Sequence, residues 1–321
     1  MAFLNFGKRT ILAGDIRLNR GVDVLRDPLV GNTYFVDALL GSDSNTGKTW
    51  AAAFLTMSKA FTTVASGDRI YFTGKVREQL TTPVQVFDVQ VIGTGNRPRH
   101  SDATPVGGDT AMATWTTPAS GATTAALCKV LQQGWAFENI LFASPTDHTA
   151  LNFFRDNGTG NAERDASHGV VRGCRFAGGQ DGVYITEVSD MLIEGNQFED
   201  LTGYAIKGIA GNGIAAPLRG IVRNNYFRGN TNHFYVTCNA WAIHDNFFDD
   251  GETPNTTVVC DVVGSGGGAK DNYVVNNWFQ TATANFNAPD VKGTTTDVWF
   301  NVSIDSFTAG LESGHEVGQP A

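Results

Sequence analysis

Ile193-Glu-Gly-Asn-Gln-Phe198, Val222-Arg-Asn-Asn-Tyr-Phe227, Ile243-His-Asp-Asn-Phe-Phe248 and Val274-Val-Asn-Asn-Trp-Phe279 are four copies of one six-residue phrase. Two earlier copies, Phe137-Glu-Asn-Ile-Leu-Phe142 and Val171-Arg-Gly-Cys-Arg-Phe176, differ mainly in the fourth place. Their closing phenylalanines stand 34, 22, 29, 21 and 31 residues apart. A period in this range with variable insertions marks a solenoid. Each copy is too short for a helix and rich in β-formers, so each turn is predicted to be built of strands. Val298-Trp-Phe-Asn-Val-Ser303 reads as a seventh, degraded copy.

Each column of the repeat has its own chemistry. The first place (Phe, Val, Ile, Val, Ile, Val) and the closing Phe are predicted to point inward and stack turn upon turn. The third place holds Asn139, Gly173, Gly195, Asn224, Asp245 and Asn276. These types tolerate left-handed backbone, so the chain is predicted to bend there. The fourth place ends in Asn196, Asn225, Asn246 and Asn277. Stacked asparagines at a corner can bond one another and the turn backbone.

Bends at Gly and Asn, an asparagine ladder and β-branched residues before it resemble the right-handed parallel β-helix of the pectate-lyase-like superfamily. The segment from Tyr34-Phe-Val-Asp37 through Ala53-Phe-Leu-Thr-Met-Ser-Lys-Ala60 to Gly67-Asp-Arg-Ile-Tyr71 looks like the opening of such a solenoid, with a first strand, a polar loop and a short capping helix. The resemblance implies an all-β fold: residues 1–32 as an N-terminal docking arm, 33–305 as the parallel β-helix, and 306–321 as a C-terminal tail or cap. It does not imply one activity, because one fold carries many.

Composition agrees: 37 Gly and 21 Phe among 321 residues, with 17% charged, fit tight corners and an aromatic core. A net charge of −9 disfavours nucleic acid as the main partner. No apolar run approaches the roughly 18 residues of a membrane span. The first residues lack a basic-then-apolar leader. The four cysteines show no paired spacing and read as reduced core residues. No metal or cofactor is expected. Gly41-Ser-Asp-Ser-Asn-Thr-Gly47-Lys48-Thr49 looks like a phosphate loop but has one residue too many between its glycines.

Two outward columns bear on function. The second place, Glu138, Arg172, Glu194, Arg223 and His244, alternates in sign and is predicted to compensate itself. The fifth place runs Leu141, Arg175, Gln197, Tyr226, Phe247 and Trp278. Its last three aromatics form an outward stripe that monomers seldom leave in water, so an oligomer or glycan contact is expected there. Just after each Phe, Glu199, Arg228 and Asp249 succeed one another. The two acids, roughly 9–10 Å apart by strand spacing, are the candidates for a catalytic pair, with Arg228 expected to bridge them.

The arm carries Phe3, Phe6, Arg17, Arg20 and Arg26, suited to docking on a larger surface. Arm, β-helix and stripe together resemble bacteriophage virion appendages: capsid decoration proteins, head spikes or tail spikes. That resemblance implies a homotrimer on the virion surface, assembled in the host cytoplasm. The arm would be held by a capsid or tail protein, and the body could touch a bacterial surface polysaccharide. The alternative is a tail-spike depolymerase, a glycoside hydrolase or polysaccharide lyase.

Overall fold

The structure is a computed structural model. It describes residues 31–95, 113–118, 125–155, 164–209, 217–249 and 272–278, together with the backbone of shorter strands towards both ends. Three long sheets form the walls of one right-handed parallel β-helix. The first wall has ten parallel strands, from Thr33–Asp37 to Thr296–Trp299. The second wall also has ten strands, running from Lys75–Arg77 to Asn301–Asp305 and closed by His315–Val317. That last strand lies antiparallel. The third wall has eight, from Leu80–Thr81 to Val291–Lys292.

The repeated phrase is the corner between the first and second walls. Val171 pairs with Ile193, which pairs with Val222; Phe176 pairs with Phe198, which pairs with Phe227. The degraded seventh copy falls in the same register, with Val298 beside Val274 and Ser303 beside Phe279. All six third-place residues adopt positive φ, from 53° to 65°. A residue with a large or branched side chain would be strained there, which is why Asn, Asp and Gly fill the column.

The core is a stack of rings. Phe142, Phe176, Phe198, Phe227 and Phe248 are buried, with centroids 4.6–5.1 Å apart and planes within 11°. Trp115 extends the column one rung towards the N-terminus, 6.0 Å from Phe142. The side chain of Phe279 lies outside the described residues. Regular spacing follows from rung spacing, because every ring leaves the backbone at the same register position. The first-place residues Phe137, Val171, Ile193, Val222, Ile243 and Val274 are all 0% exposed.

Beside them runs the asparagine ladder. Asn225 Oδ1 accepts from the backbone N–H of Asn196 at 2.9 Å and from its Nδ2 at 3.0 Å. Asn225 Nδ2 donates to the Ile193 carbonyl, also at 3.0 Å. Asn246 and Asn277 repeat the arrangement one and two rungs on. Cys174 begins the column, donating its backbone N–H to Asn196. Its thiol is pushed up to about 12 by burial. Cys128 and Cys238 are likewise buried, free and shifted upward.

At the N-terminal end, the helix Met57–Thr63 closes the solenoid, with Met57, Ala60 and Phe61 buried. Thr56 caps it, and the Glu78 carboxylate accepts from the N–H groups of Met57 and Ser58 at 2.8 Å each. The phosphate-loop lookalike is tied up internally. Asp43 accepts from the N–H groups of Leu55 and Thr56, and Lys48 Nζ lies 3.8 Å above the ring of Tyr34. Phe3–Phe6 and Arg9–Leu12 pair as an antiparallel hairpin. Arg17, Arg20 and Arg26 of the expected docking arm lie outside the described residues, as do the side chains of Phe3 and Phe6.

Candidate functional site

The outer face of the second wall brings together the candidate catalytic residues Glu199, Arg228 and Asp249 and the aromatic stripe Tyr226, Phe247 and Trp278. Arg175, Gln197, Tyr226, Phe247 and Trp278 stand side by side on successive strands. Glu199, Arg228 and Asp249 form the neighbouring column two residues on. The expected adjacency of the two acids through Arg228 is therefore present in the register.

A further partner reaches Glu199 from an earlier rung. Glu199 is bound by Arg175, whose Nε and Nη2 both reach Oε2, at 2.8 and 2.5 Å. Arg175 sits one rung earlier and one column across, so its long side chain lies diagonally along the wall. Both members of the Arg175–Glu199 pair are buried, at 7% and 5% exposure. Glu199 Oε1 has no donor among the described residues and is shut away from solvent. A general acid or base must reach a substrate proton, and this carboxylate is covered and neutralised by a guanidinium.

Asp249 is engaged on the same diagonal. The Tyr226 hydroxyl donates to Asp249 Oδ2 at 2.8 Å. Burial, and the bond to a carboxylate, push the Tyr226 phenol well above its ordinary value. Asp181, before the third wall's strand Val183–Thr186, accepts from the Tyr204 N–H at 2.8 Å, and burial raises its carboxyl.

The aromatic stripe follows the register of three successive strands. The rings of Tyr226 and Phe247 stack at 5.5 Å and 22°. Exposure increases along the stripe, from half-buried Tyr226 and Phe247 to Trp278 at 49%. Leu141 and Arg175, earlier in the same column, are buried.

On the first wall the charged column compensates itself as expected. Arg172 lies 3.9 Å from Glu138 and 3.4 Å from Glu194, and Arg223 lies 3.2 Å from Glu194. His244 turns to its neighbour Asp245 at 2.7 Å. Beside this column lies a second apolar line. Ala136, Val170 and Leu192 form a small cluster separate from the main core, and Ile221 and Tyr273 continue it at 38% and 44% exposure.

Fold and wall geometry define a parallel β-helix protein whose conspicuous surface is an aromatic stripe beside a buried Arg175–Glu199 pair and the Tyr226–Asp249 bond. The family described as "Right handed beta helix region" matches residues 150–279. Among solved structures, the chain is similar to pectate lyase Pel9A at 12% identity, covering 88% of this chain and 79% of that one, with a TM-score of 0.49. It is similar to a pectin methylesterase from Aspergillus niger at 14% identity, covering 89% and 92%, TM-score 0.48. It is similar to an alginate lyase from Paenibacillus sp. str. FPU-7 at 13%, covering 87% and 96%, TM-score 0.46. No curated protein sequence matches the chain.

Proposed function

We propose that this chain is a structural, non-catalytic β-helix appendage that self-associates through its second wall, of the kind bacteriophages carry on the particle surface. The observation that carries the reading is the Tyr226–Phe247–Trp278 stripe. It is an ordered line of rings with its outer end half in water, on a wall whose backbone is already fully occupied by sheet pairing. Apolar surface of this kind contributes about 25 cal/mol for each Å² removed from water. Closed symmetry lets one stripe bury itself in every copy, and a threefold arrangement is the one proposed. Residues 1–32 are the proposed link to a capsid or tail protein.

The mass in solution tests this. The wild-type chain should run as an oligomer, and Trp278→Ala should shift it towards monomer. A wild-type monomer at micromolar concentration would remove the basis of the proposal.

The alternative, a depolymerase acting on a bacterial surface glycan, is favoured by one observation: Glu199 and Asp249 lie in one column two rungs apart. Against it stand the Arg175 and Tyr226 bonds that occupy both carboxylates. Purified protein applied to capsule or lipopolysaccharide should leave chain length unchanged. Shortening that is lost in Asp249→Asn would establish the enzymatic reading instead.

A further inference from the structure

The repeated corner has an outward apolar place on either side of it. Ile221 and Tyr226 flank one turn, Ala242 and Phe247 the next, and Tyr273 and Trp278 the one after. The first of each pair lies on the first wall and the second on the second wall, on the same three rungs. Val222, Ile243 and Val274 on one side, and Phe227 and Phe248 on the other, are buried in the core. Alternation therefore turns both lines outward.

The two lines open to solvent together. In earlier rungs both are covered: Ala136, Val170 and Leu192 on the first wall are buried, as are Leu141 and Arg175 on the second. From the rung of Ile221 and Tyr226 onward they emerge, and exposure reaches 44% at Tyr273 and 49% at Trp278. On the ridge between them, Arg223 meets Glu194 and His244 meets Asp245. The corner is thus a ridge of engaged charges with an apolar flank on each wall, a form of surface that points to contact.

We infer that the second-wall stripe is received by the first wall of the next copy of this chain, with Ile221, Ala242 and Tyr273 of one copy packed on Tyr226, Phe247 and Trp278 of its neighbour. This contact rests on the self-association proposed above and adds the surface that takes the stripe. In a ring of more than two copies, contacts are heterologous: one patch of each copy meets a different patch of the next. Rotation about an axis parallel to the solenoid keeps every rung at its own height. The two patches must then occupy the same rungs, and these do. Each spans two strand spacings, about 10 Å, and each is most exposed at the same end. A partner of another kind would place no such demand on two separate walls.

The test is the mass in solution of the purified full chain and of two variants, alone and mixed, by sedimentation. Tyr273→Lys spoils the first-wall line and Trp278→Lys the stripe. The wild type should be an oligomer, and each variant alone should be monomeric, because each lacks one half of every contact. Mixed in equal amounts, the two should form a one-to-one dimer and grow no further. The intact first wall of one variant takes the intact stripe of the other, while the two remaining faces both carry lysine. Ile221→Lys and Phe247→Lys are a second pair and should behave alike, with circular dichroism showing that each variant keeps its β structure. A Tyr273→Lys chain of wild-type mass would overturn the inference and leave the self-association standing, since the stripe would then meet something other than the first wall. A mixture that stays monomeric would overturn it too. A monomeric wild type would remove the self-association itself and leave both lines to another occupant.

Discussion

Replacing Asn225 with Leu probes the corner of the solenoid directly. Asn225 is 2% exposed, and its side chain makes four bonds. Two of the lost partners keep another bond. Asn196 Nδ2 still donates to the Val171 carbonyl, and Asn246 Oδ1 still accepts from the Asn225 backbone N–H. Two lose the partner that the ladder supplies: the Asn196 N–H and the Ile193 carbonyl. Each buried polar group left unpaired costs about 1–3 kcal/mol, so the substitution should cost about 2–6 kcal/mol. For a chain of this size that is a fall of at least about 4 °C in melting temperature. Solenoids can unfold in parts, so a local readout belongs beside the melt. Hydrogen exchange at the Asn196 amide should lose its protection, while the Val91 rung, far from the change, keeps it. Asn224→Asp at the neighbouring exposed bend is the control and should be nearly neutral, since Asp tolerates φ 56°. An unchanged melt together with a protected Asn196 amide would refute the ladder as a stabilising element.

Phe227 lies between Phe198 at 5.0 Å and Phe248 at 4.6 Å, and Phe227→Ala should cost about 3–5 kcal/mol in denaturant unfolding. Glu199→Gln should destabilise, because it removes the carboxylate charge that Arg175 meets in the buried pair; a fully stable variant would mean that the pair is not what holds this face. Asp181→Asn should match or exceed the wild type in stability at pH 7. Burial raises the Asp181 carboxyl above 3.8, so its favourable contribution is present below that value and is lost as pH rises through the folded-state pKa. The difference between the two proteins should therefore shrink in melts below pH 3.8. Cys128, Cys174 and Cys238 should resist iodoacetamide at pH 8 in the native protein and react only after unfolding, as peptide mapping can show.

The corner between the first and second walls was legible in the sequence, because its requirements are local. A positive φ admits few residue types, a buried turn needs an amide with both donor and acceptor, and a stacked column needs the same ring at every turn. Asn224, Asn225 and Phe227 each answer one of these demands within four residues, and repetition makes the answers visible. Pairings across rungs were not legible. Arg175 reaches Glu199 because the diagonal lies open along the wall, and that contact between residues 24 apart depends on the register of their strands. The line Ala136, Val170, Leu192 was visible as apolar, yet only the packing of the first wall placed it outside the main core. Glu78 capping a helix that begins 21 residues earlier carries no local signal. The third wall was the least readable. Loops of differing length precede its strands, so no phrase repeats, and Lys129, Tyr184, Lys207 and Tyr235, which share one register position on it, look unrelated along the chain. The sequence by itself determined the solenoid and the corner that builds it; the tertiary structure decided which side chains share a face, since neighbours on a wall are set by the lengths of the loops between them.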